Sequence, residues 1–155
     1  MLKDWNKVEQ PTAEEVDKRL ANAKNSLLQQ QIAMKEKKLP VIVLLEGWGA
    51  AGKGSVLGKL IKNIDPRFFK VAVMDEPTEE EKRKPFLYRH FVKIPEAGKF
   101  VFMDSGWMSE VTSQKLSGEL SEEEYKKRIE SIKRFERQLT DNGYLVLKFF
   151  MQINK

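Results

Sequence analysis

A parallel α/β sheet with helices on both faces is the fold predicted by this 155-residue sequence. Three observations carry that prediction. Four short apolar runs read as strands, namely Val41 to Leu45, Phe69 to Met74, Phe100 to Met103 and Tyr144 to Phe150, and helical patterns separate them. The first run has no polar alternation, as suits a strand covered on both faces. It leads straight into a glycine-rich turn, Gly47 to Gly54, and then a helical stretch from Ser55 to Asn63. Folds wound in this way hold their ligands at the carboxyl ends of the strands.

The stretch from Pro40 to Ser55, PVIVLLEGWGAAGKGS, has the grammar of a phosphate-binding loop. Gly47, Gly52 and Lys53 meet the pattern G-x-x-x-x-G-K, with Gly54 in the usual Ser/Thr place and Ser55 one residue later. Glycines let backbone N–H groups turn inward onto phosphate oxygens, and the lysine and helix end add positive charge. The expected phosphate-binding set is Gly47, Gly49, Ala50, Ala51, Gly52, Lys53, Gly54 and Ser55. The bland alternative is a glycine turn with Lys53 in solvent. The buried strand before it and the helix after it favour phosphate.

The other elements follow in order. Residues 1–11 read as an arm, with Trp5 and Val8 as docking contacts. Thr12 and Glu15 form a capping box, and Val16, Leu20, Ala23 and Leu27 sit at helical spacing in a long amphipathic helix running to about Lys37. Its expected role is packing, and Leu39-Pro40 ends it. Residues 1–39 thus precede a domain at 40–155. The helix after the loop has Val56, Leu57, Leu60, Ile61 and Ile64 on one side, and Asp65-Pro66-Arg67 is a turn. Thr78 and Glu81 form a second capping box, and Pro85 kinks that helix or starts a new one. Ser121 and Glu124 form a third, before a helix that carries Tyr125, Ile129, Ile132, Phe135 and Leu139 and stops at Gly143.

Composition excludes some classes. With 41% hydrophobic and 33% charged residues the chain is an ordinary globular domain. It has no cysteine, hence no disulfide, thiol chemistry or cysteine metal site. No apolar run approaches a membrane span and the first ten residues lack a signal-peptide core, so the expected location is cytoplasmic. A net charge of +5 suits an anionic ligand, or is simply a lysine-rich surface. Nothing in the sequence matches a nucleic-acid-binding module.

Asp104 ends the apolar strand FVFMD, where phosphate-binding-loop proteins place a carboxylate for Mg²⁺; the alternative is a cap on the next helix. Mg²⁺ takes oxygen ligands, so one carboxylate and phosphate oxygens can hold it. Lys53, Asp104 and Arg89 form the expected catalytic set, with Arg89 either contacting phosphate or lying on the surface. His90, the only histidine, is read as packing. Trp48 stacks on a base or covers the loop.

Taken in order, EGWGAAGKGS, Asp65-Pro66-Arg67, the run from Glu76 to Glu80 (EPTEE), Tyr88-Arg89, Ile94-Pro95 with Gly98, and FVFMDSGW resemble the polyphosphate kinase 2 family. The resemblance spans Val41 to Lys155. It implies a three-layer, P-loop kinase-like domain similar to thymidylate kinase. It also implies Mg²⁺-dependent phosphate transfer between polyphosphate and a nucleoside mono- or diphosphate. Lys53 matches the loop lysine and Asp104 the second-motif carboxylate, while Arg67 and Arg89 match basic positions, which adds Arg67 to the phosphate-binding set. Three positions depart from the pattern: Gly49 replaces an aspartate, Ser105 an arginine and Met108 an aromatic. The family's lid and final helices, which follow the fourth strand, are not in this sequence. The expected alternatives are a catalytically weak or inactive phosphate- or nucleotide-binding domain of a larger polyphosphate kinase, and an ATP-dependent small-molecule kinase. An open edge beside the fourth strand suits a second copy or a catalytic twin domain.

Overall fold

The computed structural model describes residues 11–152; the anchors expected at Trp5 and Val8 lie outside them, as do residues 153–155. Four parallel strands, β1 (Val41–Gly47), β2 (Phe69–Val73), β3 (Phe100–Asp104) and β4 (Leu145–Met151), form a sheet in the order β2-β3-β1-β4. β1 is central and pairs with β3 and β4, which explains its unbroken apolar run. The helices are α1 (Ala13–Glu36), α2 (Lys53–Ile61), α3 (Glu79–Lys82), α4 (Tyr88–Phe91), α5 (Trp107–Leu116) and α6 (Glu122–Asp141).

Alternate residues of β1 serve two cores. Val41, Val43 and Leu45 pack with Met34 of α1, Leu57 of α2 and Ile64. Ile42 and Leu44 pack with Trp107 and Val111 of α5 and with Ile132, Phe135 and Leu139 of α6. The expected three layers follow from this period of two. Each of the three capping boxes forms with both of its hydrogen bonds. Pro85 begins a new helical segment, its carbonyl accepting from the Tyr88 N–H at 2.8 Å.

The packing role expected for α1 holds only for its last turns. Gln31 and Met34 are its buried residues, whereas Val16, Leu20, Leu28 and Ile32 are 37–54% exposed. A helix of this length runs about 36 Å, but a seven-residue strand spans only about 23 Å, so the sheet cannot cover all of it. The outer edge of β4 pairs with no strand among the described residues, and Leu145, Leu147, Phe149 and Phe150 are all exposed there.

Candidate active site

The phosphate loop is built by a change of backbone hand. Gly47 ends β1 at φ +132°, and a Cβ there would overlap the Met151 carbonyl of β4. Gly52 caps α2 at φ +82°, a left-handed conformation that costs glycine little. Between them the Ala51 N–H donates to the Trp48 carbonyl at 3.2 Å, closing the turn. α2 then starts with Lys53 and has no acidic residue in its first turn, which leaves its positive end to an anion.

The loop opens onto a cleft of about 540 Å³ lined by Ala50 to Ser55 and, across it, Val73, Asp104 and Ser105. The register explains the juxtaposition: Leu45 of β1 pairs with Asp104 of β3, so both strand ends open on the same side. Loop amides, one ammonium and one carboxylate therefore face one space. Lys53 turns back on its own loop, its Nζ donating to the carbonyls of Gly47 and Trp48 at 3.1 Å each. Trp48 is exposed and meets Phe150 of β4 edge-on at 6.2 Å.

Arg89 is not a surface residue. It is 5% exposed, and its guanidinium donates to the Asp75 carbonyl, with Nη1 3.9 Å from Glu110. It lines a neighbouring cleft of about 410 Å³ with Asp75, Glu76 and Glu110, and Ser105 borders both clefts. His90 packs as expected, fully buried and edge-on to Trp107 at 5.8 Å, with Nε2 2.9 Å from Glu110 Oε2.

Arg67 corrects an expectation. It stands before β2, at the end of the sheet opposite the loop, because Phe69 pairs with Phe100 while Val73 pairs with Asp104. A five-residue strand puts about 13 Å between those ends. Arg67 is instead bonded to Asp65, with Nη2 2.6 Å from Oδ2. That guanidinium holds the Asp65 carboxyl down at about 2.

Glu46 and Ser109 escaped the sequence reading. Glu46 is a buried carboxylate that accepts from Ser109 across the site. The one signal was a lone charge ending an apolar run, and it was absorbed into the loop motif.

The profile of the family described as Polyphosphate kinase 2 (PPK2) matches residues 10–155. A polyphosphate:AMP phosphotransferase of Pseudomonas syringae pv. tomato is 34% identical over 119 residues, covering 77% of this chain and 24% of that protein. An ADP-polyphosphate phosphotransferase 3 of Rhizobium meliloti is 29% identical over 138 residues, covering 89% of this chain and 49% of the relative. The chain thus spans between a quarter and a half of the length of these relatives. A crystal structure of a polyphosphate kinase 2 from Pseudomonas aeruginosa superposes with a TM-score of 0.91 at 28% identity, over 100% of this chain and 34% of that one. The polyphosphate kinase 2 of Arthrobacter aurescens shares the fold, with a TM-score of 0.85 at 24% identity over 94% of this chain and 53% of that one. Loop, strand-end carboxylate, sheet order and family match agree: the chain belongs to the polyphosphate kinase 2 family.

Proposed function

We propose that this domain transfers phosphate between polyphosphate and a nucleoside mono- or diphosphate. One observation carries the reading: Lys53, the loop amides and Asp104 line one cleft. Phosphoryl transfer asks the protein for position and charge neutralisation more than for covalent chemistry. The loop amides and Lys53 hold the phosphate chain, and Arg89 lines the adjoining cleft, from which an acceptor approaches. The relatives that carry phosphotransferase names support this reading.

The donor set fits Mg²⁺ that arrives on phosphate rather than in a protein cage. Among the described residues no cluster of three or more His, Cys, Asp or Glu stands together. Asp104 faces the loop from across the cleft, and Ser55 lines the same space. One carboxylate, phosphate oxygens and water meet the octahedral demand of Mg²⁺. When bound, the ion neutralises charge on the transferring group. Asp104 supplies its anchor, and Lys53 holds the phosphate on the loop side.

Gly49 is where a second carboxylate would strengthen that anchor. Its backbone is not left-handed, and a Cβ there meets nothing within 4 Å. Gly49→Asp is therefore expected to fold normally and to tighten Mg²⁺ binding with tripolyphosphate by about tenfold, the gain of one charge-assisted contact. Calorimetry with and without tripolyphosphate measures it. Equal Mg²⁺ affinities in the two proteins would sink the metal assignment.

The decisive assay incubates the chain with Mg²⁺, polyphosphate and AMP, ADP or GDP in turn. The expected result is a nucleotide one phosphate longer, formed about 100- to 1,000-fold more slowly by Lys53→Ala. ATP in place of polyphosphate tests the ATP-dependent alternative. Gly49 and Ser105 favour a second reading, a domain that holds phosphate without transferring it; tripolyphosphate binding with no product from either donor would establish that one.

A further inference from the structure

We propose that Glu46 is a positioning residue, which locks the corner carrying Asp104 onto the strand that carries the phosphate loop. Its functional consequence rests on the transfer reading above. Glu46 lies on the same face of β1 as Ile42 and Leu44, opposite Leu45, and is only 6% exposed. Its carboxylate crosses to the start of α5. Oε2 accepts from the Ser109 backbone N–H at 3.1 Å and from the Ser109 hydroxyl.

α5 needs that bond. The first N–H groups of a helix have no partner within it, and a side chain at the N-cap normally supplies one. The N-cap here is Gly106, which has no side chain to offer. Glu46 caps α5 instead, from 63 residues away in sequence.

The fit is close and has a cost. Oε1 of Glu46 is buried without a hydrogen-bond partner among the described residues, and a Cβ at Gly106 would overlap it. A buried acceptor left empty is unfavourable, so a local cap on α5 would be the more stable way to end that helix. What the distant cap adds is registration. Glu46 precedes Gly47, the first residue of the loop turn, and Gly106 follows the pair Asp104-Ser105. One carboxylate thereby sets how the two walls of the cleft stand to each other. Asp104 itself points to the other face of the sheet, since its partner Leu45 does, so Glu46 acts through the backbone and not as a ligand.

The test compares the full chain with Glu46→Ala, Glu46→Gln and Asp104→Asn. Calorimetry gives tripolyphosphate affinity with and without Mg²⁺, and hydrogen exchange follows the amides of Trp107 to Ser109. In Glu46→Ala the gain in affinity from Mg²⁺ is expected to fall about fivefold or more, toward that of Asp104→Asn, while metal-free affinity stays within about twofold. Glu46→Gln keeps an oxygen for the Ser109 N–H and is expected to retain most of the gain. An undiminished gain in Glu46→Ala overturns the proposal, as does a metal-free affinity that falls in step with it, the mark of general unfolding. If the unaltered chain shows no gain from Mg²⁺, the metal assignment within the transfer reading is what fails. Glu46 is then judged on exchange alone. Ser109 exchanging about tenfold faster in Glu46→Ala but not in Glu46→Gln supports the strut, and equal rates in all three overturn it.

Discussion

Lys53→Ala is expected to weaken tripolyphosphate binding about 10- to 100-fold, the worth of one charge-assisted hydrogen bond in a partly dry site, at about 1.5–3 kcal/mol. Among the residues that line the loop cleft, Lys53 is the one cation. The loop amides and the end of α2 remain in the variant, so binding falls but does not vanish. Transfer is expected to fall further, by about 100- to 1,000-fold, because the ammonium opposes charge that develops in the transition state. The fold should be untouched, since among the described residues Lys53 bonds only to carbonyls of its own loop. Calorimetry and a donor–acceptor assay measure the two losses, and circular dichroism checks the fold. A variant that binds tripolyphosphate as tightly as the parent would remove the loop from the phosphate site.

Trp107→Ala is expected to carry the largest loss of stability. Trp107 opens α5 and is fully buried. It meets Phe135 of α6 edge-on at 5.3 Å and His90 of α4 at 5.8 Å, so one ring joins three helices. Its indole N–H donates to Glu136 at 2.8 Å. Truncation leaves a cavity in this core and costs about 3–5 kcal/mol. A domain of this size holds about 5–15 kcal/mol in all, so the midpoint of thermal unfolding should drop by roughly 10 °C or more. Glu136 is not stranded, because Lys148 holds it at 2.8 Å. Trp107→Phe should recover part of the loss by refilling the space. Thermal scans at 222 nm read both variants; a drop below about 3 °C for the alanine variant would show that the surrounding helices close the gap.

The sheet was legible because its pattern is local. β1 sits at the centre, so each of its apolar residues is buried, and a short apolar run ending in glycines has few other readings. The capping boxes were legible for the same reason, since each is a contact between residues three apart. The loop and Asp104 could be placed together because parallel strands bring their carboxyl ends to one side. Arg67 could not be placed by its chemistry. Its position before β2 puts it at the wrong end, and a guanidinium beside Asp65 already has a partner. Arg89 falls on the correct side but in the adjoining cleft, because α4 packs against α5 and α6, through His90 on Trp107 and Phe91 beside Phe135, rather than over the loop. The bond between Glu46 and Ser109 has no local signature, since nothing in a strand-end glutamate names a helix start 63 residues later. The exposed turns of α1 were misread because an amphipathic stripe records what a helix can cover, not what lies beside it.

Lys53 Nζ donates to two carbonyls of its own loop, which therefore acts as a pseudo-ligand for it. An arriving phosphate competes with these contacts instead of filling an empty place, and the exchange of partners is nearly even in number. The side chain behaves as a latch that a lone weak anion releases at little advantage. A chain of linked phosphates can meet the amides first and take the lysine afterwards as an intramolecular step, at a raised effective concentration. Under the proposed function, a preference for a long donor over orthophosphate is expected from the order in which the loop's contacts change hands.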